Sequence, residues 1–548
     1  MNRKKRVLFL TEATYLNTGY ATYSKNIIDS LFNTGKYEIA EFSIYGSEED
    51  PRRSTIKWKN YPNIPKPTNS IDLETYNSNP SNQFGEWRFE RVCVDFKPDV
   101  VLCIRDFWMD AFVYKSPFRR IFKWVWMPTV DGSPQNEEWV DCFCNADGII
   151  TYSDWAYNVL KEQSGDSIKY IGTASPTASE HFYPMDKTAI RKEFGLDPNS
   201  KIIGTVMRNQ RRKLFPVLFK AFSSYLKMTG DKNTFLYCHT SYPDNGWDLG
   251  NLLLENEIST RVLFSYICSK CGSLEVSKFN DAIKCCDRCR SFNSTPSNVA
   301  NGVPDSILAK IYNTFDLYIQ CSNSEGFGVP QVEAAACGVP VACTKYSAME
   351  DVIQKLSAFP INLDGKYKEL ETGCDRAVPS VDSMVEIFNK FFSCSDEDKA
   401  CIREKVRSQF LQNYSVDKSS SIWQQAIDSL EFADWSIPKS IKSETSFAHS
   451  EMTNSSFIDF CCNNYLIGEH MHRSHKIRSL KRDLNFSSYR PSKDGIFSTE
   501  SSLFGKSNPV TLNRDKVLET FISLAKNSNF WENVRSGIIT LERESWLR

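Results

Sequence analysis

Ser324-Glu325-Gly326-Phe327-Gly328-Val329-Pro330-Gln331-Val332-Glu333 is the stretch on which the fold turns. Two carboxylates eight positions apart, Glu325 and Glu333, flank a Gly-Phe-Gly loop that runs into a helix begun by Pro330 and ended before Gly338 and Pro340. Gly326 and Gly328 let the backbone approach a ligand closely. A helix start offers unpaired N–H groups and the positive end of the helix dipole, and the two features together suit a diphosphate. Glu333 falls in the first turns of the helix and Glu325 just before it, so both can face one ligand above the N-terminus. A carboxylate is a bidentate acceptor for vicinal hydroxyls, so one can hold a ribose and the other a hexose. The plainer alternative is a pair of glutamates favoured at a helix start by the dipole alone.

Outward from this loop the chain alternates strand-like and helical patterns. Residues 6–10 read as a buried strand, followed by a polar loop ending at Gly19 and a helix with Ile27, Ile28 and Leu31 on one face. Further strands are expected at 100–104, 123–127 and 148–152, which argues for a parallel sheet with crossover helices. A second series starts with a strand at 201–207. A helix follows at 216–228, whose Val217, Leu218, Ala221, Phe222, Tyr225 and Leu226 share a face, with Pro216 in the first turn where its missing N–H costs nothing. Strands at 235–239, 317–320 and 339–343 complete it, with the helix 330–337 between the last two. The expected fold class is α/β. The domain reading is a Rossmann-like unit at 1–180, a second at 181–435 with a cysteine-rich insertion at 264–295, a Ser/Thr/Lys/Glu-rich linker at 436–456 and an extension at 457–548.

The pattern of Glu325 and Glu333 with Cys337-Gly338-Val339-Pro340-Val341 resembles the E-x7-E signature of retaining glycosyltransferases of family 4, the glycosyl transferases group 1, and the order of elements is similar from about residue 6 to 435. The resemblance implies a GT-B fold, two Rossmann-like domains facing across a cleft. It also implies transfer of a hexosyl or other glycosyl group from a nucleoside diphosphate sugar with retention of configuration. The N-terminal domain would then take the acceptor. In such enzymes the first Glu contacts the donor sugar and the second the nucleotide ribose. The donor-binding set is then Glu325, Gly326, Phe327, Gly328, Val329 and Glu333.

Gly204-Thr205-Val206-Met207-Arg208-Asn209-Gln210-Arg211-Arg212-Lys213 is a strand end followed by a basic loop. Ligands of open α/β sheets bind beyond the carboxyl ends of strands, and a leaving diphosphate needs positive charge there. The spacing of Arg208 and Lys213 resembles the family's Arg and Lys pair on the donor phosphates, and Arg211 and Arg212 are open to the same role or to solvent. With those cations in place no catalytic divalent metal is expected. The loop 11–19 resembles the glycine-bearing loop of the first domain, with one glycine, Gly19, where the family often has two; a plain helix-start glycine is the alternative. Where the family often has a His or an acid in the first domain, this chain has Arg105-Asp106 and Asp131-Gly132 and no His. Asp106 and Asp131 are therefore the candidates to orient an acceptor hydroxyl. The alternatives are an Asp106 pairing with Arg105 and a simple turn at Asp131.

At 548 residues the chain exceeds one core. Hydrophobic, aromatic and charged fractions of 41%, 13% and 24% are those of a globular protein rather than a disordered one. Sixty-six basic against 67 acidic side chains leave no global field toward nucleic acid or anionic lipid. The apolar run after the basic start is too short for a signal peptide or membrane helix, so a soluble cytoplasmic protein without a transmembrane segment is expected. Most of the 18 cysteines sit singly in apolar segments and read as reduced core thiols. The exception is the pair of C-x2-C knuckles Cys268/Cys271 and Cys286/Cys289, separated by 14 residues, whose spacing matches a zinc ribbon with a closed, structural four-thiolate site. Cys285 is a neighbouring spare, and the ribbon is expected near the cleft rim. Cys461, Cys462, His470, His472 and His475 fit no ligand pattern, and Arg473, Lys476, Arg478, Lys481 and Arg482 read as a solvated basic face. The partners expected are a nucleotide-sugar donor and an acceptor, with a saccharide or protein favoured and DNA possible. A competing class is a nucleic-acid-binding protein using the ribbon and the basic tail, and a hybrid is glycosylation of modified DNA bases.

Overall fold

The computed structural model describes residues 3–116, 118–119, 121–298 and 301–435, and a short antiparallel strand pair at Tyr489–Arg490 and Ser498–Thr499. The expectations for 436–456 and, that pair apart, for 457–548 lie outside the described residues, with the Cys/His group and basic stretch named above.

Seven strands form the first sheet: β1 (Lys5–Glu12), β2 (Tyr37–Ser47), β3 (Lys59–Ile64), β4 (Val100–Cys103), β5 (Lys123–Trp126), β6 (Gly148–Thr151) and β7 (Tyr170–Thr173). Their order is β3-β2-β1-β4-β5-β6-β7, and every pairing is parallel. Val7, Leu8, Phe9 and Leu10 are all fully buried because helices cover both faces of a parallel sheet, which is why β1 reads as an unbroken apolar run. The helix Gly19–Asn33 starts where Thr18 accepts from the Ala21 N–H, and it buries Ala21, Tyr23, Ser24, Ile27, Ile28 and Leu31, a 3.6-residue stripe. Each large apolar side chain on such a stripe contributes roughly 1.5–3 kcal/mol.

The second sheet comprises β8 (Lys201–Val206), β9 (Thr234–His239), β10 (Val262–Cys268), β11 (Leu274–Lys278), β12 (Ser294–Pro296), β13 (Leu317–Gln320), β14 (Val341–Thr344) and β15 (Phe359–Ile361). The order is β11-β10-β9-β8-β13-β14-β15, with β12 also on β10; pairings are parallel except those of β11 and β12. A hairpin of β16 (Leu363–Lys368) and β17 (Asp375–Pro379) follows. The helix Val416–Ser429, counted with the second unit in the sequence, returns to the first: Trp423 Nε1 donates to Tyr23 Oη at 2.9 Å and Ser419 Oγ donates to the Ser175 carbonyl at 2.5 Å. Among the described residues no helix is long and apolar enough to cross a membrane.

Sequence pattern did not indicate β2, β3, β7 or β10. In β2 the reason is Glu41, a charge in the middle of the strand that is nonetheless fully buried. It accepts from the Thr14 N–H (3.0 Å), Thr14 Oγ1 (2.8 Å), Ser43 Oγ (2.6 Å) and Trp58 Nε1 (2.7 Å). A buried carboxylate is tolerated when its lone pairs are filled, and those donors come from three segments of the chain.

Candidate active site

Each sheet has one place where strand order reverses, between β1 and β4 in the first and between β8 and β13 in the second. Loops leaving such adjacent carboxyl ends diverge to opposite faces and open a crevice. The loop after β8 carries residues 207–214 and the loop after β13 carries 321–328. They are joined by an antiparallel bridge between Lys213 and Ser322, by the Leu214 N–H to the Cys321 carbonyl (3.0 Å) and by the Asn323 N–H to the Arg212 carbonyl (2.9 Å). This seam brings the basic loop onto the glutamate motif.

Glu325, 4% exposed, is saturated with donors. Oε1 accepts from Lys213 Nζ, from Gln320 Nε2 at 2.7 Å and from Ser322 Oγ at 2.6 Å, and Oε2 accepts from Arg212 Nη1 at 2.7 Å. Burial pushes its pKa up, but the Arg212 and Lys213 charges outweigh burial and hold the carboxyl well below the usual range. Burial and the adjacent Arg212 bring Lys213 down to about 8 against the pull of Glu325. Lys213 has Arg212 beside it on Glu325. Arg208 is exposed and turned to Asp244 (Nη2–Oδ1 2.8 Å, Nε–Oδ2 3.0 Å), because it sits at the start of the loop beside the segment after β9; Arg212 stands next to Lys213 instead.

Gly328 caps the helix Val329–Ala336 at φ +90°, with no side chain capping the first turn, and a Cβ there would lie 2.0 Å from Gln331 Nε2. Gly326 meets the other unit: a Cβ would lie 2.4 Å from Thr129 Cγ2. Phe327 is buried and Val329 partly buried at the helix start. Glu333, partly exposed, accepts from Tyr312 Oη at 2.8 Å, and burial raises it to about 7. Glu325 and Glu333 therefore differ: one is a locked anion, the other titrates near neutrality.

Across the crevice, Asp106 follows β4, and Thr129 and Asp131 follow β5. Asp106 is not paired with Arg105. Successive residues leaving a strand point to opposite sides, and Arg105 turns inward to the fully buried Asp110 (Nε–Oδ1 3.1 Å, N–Oδ2 3.1 Å). Asp106 turns toward Tyr20 and Thr129, and burial together with the charge of Asp131 raises it to about 6, with Tyr20, Thr129 and Arg212 pulling the other way. Tyr20 Oη and Thr129 Oγ1 are 2.7 Å apart. Asp131 pairs with Arg376 Nη1 at 3.0 Å and receives Ser324 Oγ at 3.4 Å. Gly19 is exposed at the start of its helix, and a Cβ there would have no neighbour within 4 Å, so packing does not demand a glycine at that position. Sequence reasoning missed Tyr20, Thr129, Ser322, Gln320 and Arg376, none of which carries a local signal; Arg212 was visible in the basic loop.

The four knuckle cysteines also converge. The sulfurs of Cys268, Cys271, Cys286 and Cys289 all lie within 4.8 Å of one another, and Cys285 stays outside the group. The knuckles repeat one geometry. Gly272 N–H donates to the Cys268 carbonyl (2.8 Å) and Arg290 N–H to the Cys286 carbonyl (2.9 Å), both at positive φ, +67° and +56°. The Cys268 and Cys286 N–H groups donate to the Ser273 and Ser291 carbonyls at 3.0 and 2.8 Å. Such a closed set of four thiols suits one tetrahedral ion and leaves no open position. The ribbon rises from the carboxyl end of β10, the same edge of the sheet as the candidate site and two strands, about 10 Å, from β8.

Two largely parallel sheets, each with a strand-order reversal, one bordered by carboxylates and the other by a cation-bound glutamate and an uncapped helix start, define an α/β protein. Residues 294–405 match the family described as Glycosyl transferases group 1. The chain is 24% identical over 209 residues to "D-inositol 3-phosphate glycosyltransferase 2" of Catenulispora acidiphila, a match covering 38% of this chain and 42% of that protein. The chain thus spans less than half the length of that curated relative. In structure it is similar to sucrose-phosphate synthase from Thermosynechococcus elongatus (TM-score 0.57, 14% identity, 78% of this chain and 98% of that one). It is also similar to Anabaena HepE in complex with UDP and glucose (TM-score 0.53, 14% identity, 78% of this chain and 100% of that one). The fold is α/β with parallel sheets and resembles GT-B glycosyltransferase structures.

Proposed function

We propose that this protein is a glycosyltransferase that moves a sugar from a nucleoside diphosphate sugar to a saccharide or protein acceptor with retention of configuration. The observation that carries the reading is the meeting of Lys213 and Arg212 with Glu325 beside the Gly328 helix start, directly across the crevice from Asp106. The UDP and glucose bound by HepE support the donor class. The diphosphate lies against the helix start with Lys213 and Arg212 offsetting the charge that develops on the leaving phosphate, and Arg208 serves as an outlying cation once it leaves Asp244. Glu333 holds ribose hydroxyls and Glu325, fixed as an anion by its cations, faces the sugar. Asp106, as carboxylate, orients the acceptor hydroxyl, with Asp131 set by Arg376 behind it. In front-face attack the departing phosphate oxygen takes the acceptor proton as the new glycosidic bond forms on the face the phosphate leaves. With these cations the transfer needs no catalytic divalent metal. Cys268, Cys271, Cys286 and Cys289 would hold a structural zinc, which would close the ribbon, and the protein works in the cytoplasm.

The test is turnover across UDP-glucose, GDP-mannose and related donors, with the anomeric configuration of the product read by NMR. Glu325→Ala and Lys213→Ala are expected to abolish it. DNA binding that is equal in wild type and Glu325→Ala, together with no donor binding, overturns the reading.

A further inference from the structure

Resting on that reading, we propose that Arg376 is a positioning residue, carried on the β16–β17 hairpin, that latches the two units across the crevice and fixes Asp131 beside the acceptor position. Arg376 is 4% exposed, yet it contacts both units. Toward the first, Nη1 reaches Asp131 Oδ1 at 3.0 Å and the Asp131 carbonyl at 3.3 Å. Toward the second, Nη1 donates to Ser324 Oγ at 2.8 Å, while Nη2 and Nε donate to Glu369 Oε2 at 2.6 and 2.9 Å. A planar guanidinium satisfies such divergent acceptors at once where an ammonium does not.

The hairpin adds backbone contacts at the same place. The Asp375 N–H donates to the Ser133 carbonyl at 2.9 Å, and Tyr346 Oη accepts from the Ser133 N–H at 3.2 Å while donating to the Asp375 carbonyl at 2.6 Å. A Cβ on Gly132 would lie 2.6 Å from Cys374 Cβ, so the two segments are in close contact. Ser324 adjoins Glu325 in the chain, and Asp131 acts on Asp106 through its charge, so one side chain touches the immediate neighbours of both halves of the candidate site. The groups acting on Asp106 are Tyr20 from the first helix, Thr129 and Asp131 after β5, and Arg212 after β8, while Tyr45 and Tyr152 sense its charge. Loss of Arg376 removes the ion pair of Asp131 and makes Asp106 harder to ionise.

The test is amide hydrogen exchange of the full chain, by peptides covering 131–135 and 373–377, in wild type, Arg376→Met, Asp131→Asn and the double variant. Both single variants are expected to exchange at least tenfold faster in these peptides with β4 and β8 unchanged, and the double variant no faster than the faster single. Where Arg376→Met does not fold, Asp131→Asn carries the test alone, since it leaves Arg376 bonded to Glu369. Donor turnover supplies the second readout: its acid limb moves to higher pH in Arg376→Met, and Arg376→Lys recovers it in part. Unchanged exchange, strictly additive effects or an unmoved acid limb overturns the latch. Exchange needs no donor, so it is readable if the wild type transfers no sugar; conversely, wild-type turnover with unchanged exchange removes the latch and leaves the proposed reaction standing.

Discussion

Lys213→Met separates the structural duty of Lys213 from its proposed catalytic one. In the fold, Lys213 (6% exposed) compensates the buried Glu325, which retains Arg212, Gln320 and Ser322 when Lys213 is removed. Breaking one side of a buried pair costs about 3–5 kcal/mol. Arg212 remains on Oε2, which sets the expectation at the lower end, about 3 kcal/mol. In the proposed reaction Lys213 offsets leaving-group charge, and loss of one positioned stabiliser of that kind is expected to lower kcat by about 100- to 1,000-fold, or about 2.7–4 kcal/mol. Adding Glu325→Gln removes the orphaned charge, so the double variant recovers most of the stability and none of the rate. The assays are denaturant unfolding and steady-state release of nucleoside diphosphate. A single variant within fivefold of wild-type kcat, or a double variant that regains turnover along with stability, refutes the reasoning.

Turnover is expected to follow a bell between about pH 6 and about pH 8. Asp106 is raised to about 6, so it gains a proton and leaves its proposed acceptor-orienting form as pH falls through that value; Lys213 is lowered to about 8, so it loses its charge as pH rises through it. Asp106→Asn removes the acid limb, and a profile unchanged by that substitution counts against its role. Gly326→Ala places a methyl against Thr129 Cγ2 and is expected to lower turnover by about tenfold, the scale of a displacement costing about 1.4 kcal/mol; Thr129→Ser, which deletes that methyl and keeps the hydroxyl, restores it. Elemental analysis should find one zinc per chain, lost in Cys286→Ser, and a strong chelator should lower the unfolding temperature, because metal binding at such a site contributes to folding. Full stability after chelation would exclude a structural ion.

The alternation of strands and helices, the two series, the Gly-Phe-Gly helix start and the paired knuckles were all legible in the sequence because their causes are local. A buried parallel strand needs an apolar run, a helix a 3.6-residue stripe, and a knuckle two cysteines at fixed spacing. β2 escaped because Thr14 and Trp58, which donate to Glu41, come from other segments. Which groups meet was decided by the tertiary structure. Nothing near residue 213 announces that its loop is sewn to residue 322, since that follows from β8 lying beside β13, more than a hundred residues away. Strand order chose Arg212 over Arg208 as the neighbour of Lys213, and side-chain alternation at the end of β4 sent Arg105 inward and Asp106 toward the crevice. Arg376 is an ordinary basic residue in a hairpin until that hairpin is laid against residues 131–133, where its guanidinium joins the two units. Sequence determines the elements and their turn chemistry through short-range forces, whereas the charge environment of a site depends on contacts between distant segments, which only the packed chain defines.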